Sequence, residues 1–120
     1  MFDESYWNVD LTEFNKLAKM LEDEGIPHSN EPFFRLANGR QIILFDSNRK
    51  RIADAVCHHG SYGGRQSGLL DIMGALTEEE SEQDSVLGWL TAEEVFKRFK
   101  YCYEHNTRIY VREDKNETQS

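Results

Sequence analysis

The sequence holds only two cysteines and two prolines in 120 residues, and between Gln66 and Phe96 it has no lysine, arginine or histidine at all. Two thiols, Cys57 and Cys102, are too few for a disulfide framework, and the aliphatic and aromatic content suffices for a core without one, which fits a reducing compartment. No apolar run approaches the roughly 20 residues that span a bilayer, and the opening MFDESYWNVD has acids where a secretory signal has a basic region. The expectation is a cytoplasmic protein. Basic charge is short overall: 14 lysines and arginines face 22 acids, a net charge of −8 that opposes direct binding to nucleic-acid phosphates and to anionic membranes. Partners should be basic, or held by a local site. The length fits one domain, expected over 1–113, with a mobile polar tail at 114–120.

The charge that is present is unevenly distributed. Residues 1–32 hold eight acids and two lysines. The middle, 33–65, is locally basic, with Arg35, Arg40, Arg49, Lys50, Arg51 and Arg65 against Asp46 and Asp54. Gln66–Phe96 then carries eight acids: Asp71, Glu78, Glu79, Glu80, Glu82, Asp84, Glu93 and Glu94.

Hydrophobic periodicity predicts an α+β domain. Asp10 with Glu13 has capping-box spacing, and Leu11, Phe14, Leu17, Ala18 and Leu21 recur at helical intervals, predicting a helix from Leu11 to Glu24. IPHSNEP, with Pro27 and Pro32, reads as a connector. FFRLA, Asn38-Gly39 and RQIILF read as a hairpin closed by a two-residue turn, and RIADAVC as the third strand of an antiparallel meander. A glycine-rich loop follows, then LLDIMGAL, whose apolar density predicts a short buried helix interrupted by Gly74. Thr77 with Glu80 and Thr91 with Glu94 both have capping-box spacing; the second opens a helix with Val95, Phe96, Phe99, Cys102 and Tyr103 along one face. RIYVRE alternates as a final strand.

Several constellations carry chemistry. The loop CHHGSYGGRQSG has the position of an anion cradle between a strand and a helix. His58, His59, Ser61, Tyr62, Gly63, Gly64 and Arg65 are its candidate ligands for a phosphate-bearing nucleotide. It matches neither the Walker nor the dinucleotide-binding glycine spacing, and the competing role is a sharp turn with Tyr62 plugging the core. Cys57, His58, His59, Cys102 and His105 are zinc-type atoms, but the set is incomplete as a signature, so no metal and no cofactor is expected. Cys57 beside two histidines lacks an orienting carboxylate, and Ser61 in GSYG lacks the hydrolase elbow spacing, so no enzyme is expected.

The acidic block reads either as a solvated face or as a mimic of a phosphate backbone, a rigid carboxylate array that occupies a basic nucleic-acid groove. Its members are Glu78, Glu79, Glu80, Glu82, Asp84, Glu93 and Glu94. Trp89 lies between the two acidic clusters as an interface anchor or, given Leu87 and Leu90 beside it, as core filling, the reading the flanks favour. Phe2, Tyr6 and Trp7 form either the face of a homodimer or a cover over the chain's own sheet.

Three strings, Asp54–Gly63, Gly68–Gly74 and Asp84–Phe96, together resemble DAVCH-x-GSYG, GLL-x-IMG and DSV-x-G-x-LTAEEVF of small phage and prophage proteins of Firmicutes. The resemblance covers about the C-terminal half and implies a genetic context rather than residue roles. A mobile-element accessory protein of this kind is expected to antagonise host immunity by binding a nucleic-acid-binding defence protein, in the manner of an anti-CRISPR inhibitor. The alternative expectation is a module that sequesters a nucleotide signal at His58–Arg65.

Overall fold

The computed structural model describes residues 10–33, 39–57 and 68–112. In chain order the elements are α1 (Thr12–Asp23), β1 (His28–Phe33), β2 (Gly39–Phe45), β3 (Arg51–Cys57), β4 (Leu70–Met73), a short α2 (Glu78–Gln83), β5 (Leu87–Leu90) and α3 (Ala92–His105). The five strands form one sheet in the order β1-β2-β3-β4-β5, antiparallel at every step. The fold is α+β.

Alternation sorts the sheet into two faces. Ile42 and Leu44 of β2, Ala53, Ala55 and Cys57 of β3, and Leu70 and Ile72 of β4 lie on one face. Phe14, Leu17 and Leu21 of α1 and Val95, Phe99 and Cys102 of α3 pack there in a single buried cluster. The other face carries Phe33, Gln41, Ile43, Phe45, Asp54, Val56, Asp71 and Met73 in register. Ile43 is buried yet stands outside the core cluster, and no described helix contributes to this second face.

Local chemistry explains where the strands differ from the sequence expectation. IPHSNEP is not a connector: His28–Phe33 is the edge strand β1, where a proline is tolerated because its missing N–H faces no partner. The strands do not meet in the register of a two-residue Asn38-Gly39 turn, since Gly39 pairs opposite Phe33 and Arg40 opposite Pro32; residues 34–38 lie outside the described residues. LLDIMGAL is not a helix but β4. Leu70 and Ile72 point to the core while Asp71 and Met73 take the other face, and a short apolar run does not by itself distinguish strand from buried helix. Gly74 ends it with φ +81°, where an added Cβ would come within 2.7 Å of the Ile52 carbonyl oxygen. Sheet membership extends to Leu87–Leu90, so the meander has five strands rather than three.

The chain closes through its helices. Glu13 does not complete a capping box with Asp10. Asp10 Oδ1 accepts from the Thr12 amide at 3.0 Å, while Glu13 Oε1 accepts from the Ala92 amide at 2.7 Å and so caps α3 from α1. Lys16 pairs with Glu93 beside it. Of RIYVRE, the described residues 108–112 form no strand: Ile109 makes one isolated parallel bridge to Leu76, with Tyr110 N donating to Leu76 O at 2.9 Å. The tail assigned to 114–120 lies outside the described residues.

Candidate binding surface

The acidic block folds as α2, β5 and the first turn of α3. Both capping boxes form. Thr77 Oγ1 accepts from the Glu80 amide and Glu80 Oε1 from the Thr77 amide; Thr91 and Glu94 make the same exchange. Each box fixes one carboxylate at a helix start, so Glu80 and Glu94 serve the backbone.

Glu80 does more. Its two oxygens accept a bidentate pair from Arg98, at 2.8 and 3.0 Å, and a third contact from Arg112 at 2.8 Å. Arg98 is only 6% exposed; it also donates to the Ala75 carbonyl at 3.0 Å, and its guanidinium lies 4.8 Å from the centre of the Tyr110 ring. The Arg98 hydrogen bonds, aided by the Thr77 amide, hold the Glu80 carboxyl down at about 2 against the opposing effect of burial. Glu93 is likewise held below its ordinary value by Lys16.

The seven-carboxylate array expected from sequence is therefore not one free surface. Glu80 is neutralised by two arginines, Glu93 by Lys16, and Glu94 is occupied at the α3 cap. Glu78, Glu79 and Glu82 are left without an ion pair among the described residues, and Asp84 accepts only from the Val86 amide at 3.3 Å. These four are the carboxylates of the array that neither pair with a cation nor cap a helix start among the described residues.

Trp89 is not core filling: it is 57% exposed, with backbone φ +64°. The pairing of β4 with β5 explains both facts. Leu70 faces Leu90 and Ile72 faces Leu87, so the single residue Asp71 stands opposite two, Gly88 and Trp89. This bulge keeps the flanking leucines turned to the core and throws the tryptophan out of alternation. The left-handed position falls on Trp89 rather than on its glycine neighbour, at a steric cost of about 1–2 kcal/mol. Met73, on the neighbouring strand, is 45% exposed.

Three other groupings were expected. The loop ligands His58, His59, Ser61, Tyr62, Gly63, Gly64 and Arg65 lie outside the described residues, as do Phe2, Tyr6 and Trp7. Of the zinc-type atoms, Cys57 Sγ donates to the Asp10 carbonyl at 3.3 Å and Cys102 is fully buried. His105 is exposed, stacks on Tyr101 and hydrogen-bonds with the Tyr101 carbonyl at 2.9 Å. No group of three metal-type side chains occurs among the described residues. Burial pushes the Cys57 thiol up to about 12, with Asp10 and Asp71 adding to the effect, and Cys102 up to about 11, so both are protonated thiols at neutral pH.

Sequence reasoning missed Arg98, Met73 and the reach of Glu13 to α3. Arg98 has a signal in retrospect: it is three residues after Val95 and four before Cys102, a core position held by a charge, which requires a buried acidic partner. Comparison with protein-family models, curated proteins and solved structures finds no match. No helix among the described residues is long and apolar enough to cross a membrane.

Proposed function

We propose that this chain is a non-enzymatic binding module that docks its acidic α2–β5 surface on a basic, nucleic-acid-binding protein, as a phage-type antagonist of host defence such as a CRISPR inhibitor. The observation that carries the reading is Trp89: a large apolar side chain, solvent-exposed on a strained backbone, between Asp84 and the α3 cap. Exposed tryptophans are energetic anchors when an interface covers them, and a ring face attracts lysine or arginine. Glu78, Glu79, Glu82 and Asp84 supply the complementary field that steers a basic partner and makes association salt-sensitive.

The test is inhibition of DNA cleavage by a guide-loaded CRISPR nuclease. The unmodified protein should inhibit. The quadruple variant Glu78→Lys, Glu79→Lys, Glu82→Lys, Asp84→Lys should lose inhibition with an unchanged circular-dichroism spectrum, because none of the four pairs with a cation among the described residues. No inhibition by the unmodified protein overturns the partner class; full inhibition by the variant overturns the surface.

A further inference from the structure

The end of the sheet where β2 turns into β3 carries a cleft of about 730 Å³, within the roughly 300–1,000 Å³ that small-molecule sites occupy. Pro27, Phe45 and Tyr103, all half-buried, give it apolar walls, and His28, Ser47 and Arg49 give it a polar side. The turn itself is strained. Asp46 N donates to the Lys50 carbonyl at 2.8 Å and Arg49 N to the Asp46 carbonyl at 2.9 Å, closing a three-residue loop that sets Arg49 at φ +65°, a position glycine ordinarily fills. Through its side chain this arginine makes no hydrogen bond or ion pair with any described residue. Asp46, the one carboxylate among the described lining residues, is held by the turn: its Oδ1 accepts from the Asn48 and Lys50 amides, each at 2.8 Å. His28 Nδ1 donates to the Ile26 carbonyl at 2.9 Å, which orients the ring and leaves Nε2 for a ligand.

We propose that this cleft binds a phosphate monoester with an aromatic body, of the size of a nucleoside monophosphate, Arg49 and His28 taking the phosphoryl oxygens and the aromatic ring lying on Tyr103. The site stands apart from the docking surface, since neither α2 nor β5 lines it. A guanidinium offers paired N–H donors to phosphoryl oxygens. A phosphate monoester passes between one and two negative charges near neutral pH, so its last proton sits on either side of a hydrogen bond to Nε2, and it meets both protonation states of His28; a carboxylate meets only the imidazolium. Tyr103, without a ring contact to any described residue, supplies an aromatic surface for stacking. The net charge of −8 opposes anions at long range, but salt screens exposed charges beyond about 8–10 Å, so the cations of the cleft decide. An arginine held where glycine would relax the turn fits a residue kept for binding at the expense of stability.

The measurement is a titration of the intact, isotope-labelled chain with adenosine 5′-monophosphate, followed by amide chemical shifts. Saturable shifts should centre on His28, Phe45, Ser47 and Arg49, and inorganic phosphate and adenosine should each bind about tenfold more weakly or worse, since each keeps only part of the contacts. Arg49→Gly should lower affinity about tenfold or more while its urea midpoint holds or rises, because glycine suits the left-handed position. Binding lost beside stability retained separates a ligand contact from a structural one. Ser47→Glu, at an exposed position of the same loop, should abolish the shifts by placing an anion in the cleft, and it carries the test alone should Arg49→Gly fail to fold. Shifts that never saturate, shifts centred on Gly68 and Leu69, inorganic phosphate or adenosine binding as well as the nucleotide, or a folded Arg49→Gly or Ser47→Glu variant that binds like the parent overturn the proposal.

Discussion

Trp89 and Glu80 show how one residue's place in the fold decides whether its chemistry is available. Asparagine adopts the left-handed region more easily than tryptophan, so Trp89→Asn relieves strain while removing the exposed ring. Stability to urea should hold or rise by up to about 1 kcal/mol, and nuclease inhibition should fall; a clear loss of stability would show that the indole packs against the fold. Glu80 behaves oppositely, since its removal strands the nearly buried Arg98 with the Ala75 carbonyl and the Tyr110 ring alone. Glu80→Gln should destabilise by about 3–5 kcal/mol in denaturant titration. Its pH dependence has a definite sign. The folded carboxyl titrates at about 2, below its ordinary 4.5, so its contribution is fully present above about 4.5 and is lost as pH falls toward 2. Acid titration of the parent should show that loss, and the glutamine variant should lack it.

Elements formed by near neighbours were legible in the sequence, and those decided by partners were not. The helix starts at Thr77 and Thr91 rest on a hydroxyl and a carboxylate three residues apart, and both exchanges form. The identity of β4 and β5 depends on what lies beside them: Asp71 and Ile72 become part of a strand because β3 offers Val56 and Ala55 as partners. The acidic surface was legible as a block of charge but not in its division, because Arg98, Arg112 and Lys16 come from elsewhere to neutralise two of its members. Trp89 was unreadable for a related reason: a single extra residue in β5 reverses the facing that Leu87 and Leu90 imply. Glu13 illustrates the same limit between helices. Its local spacing suggested a cap for α1, yet its oxygen serves the first amide of α3. Glu13→Ala should therefore cost about 1 kcal/mol by exposing that amide, measured by urea unfolding; an unchanged midpoint would mean that solvent replaces the cap fully.

At the scale of the whole molecule, spatial order in the sheet repeats chain order without a crossover. Each strand pairs with the strand just before it in the chain, so every strand contact closes a far shorter loop than the contact between the first and last helices. The contact of α1 with α3 is different, since Glu13 and Ala92 are 79 residues apart. That separation makes the helix pair the longest closure, and it is expected to form after the transition state. Glu13→Ala should then accelerate unfolding and leave the refolding rate nearly unchanged in stopped-flow chevrons, whereas slower refolding would put the helix pair in the nucleus. On that expectation the residence time of the native state, and with it resistance to proteolysis, is set at the seam between the first helix and the last.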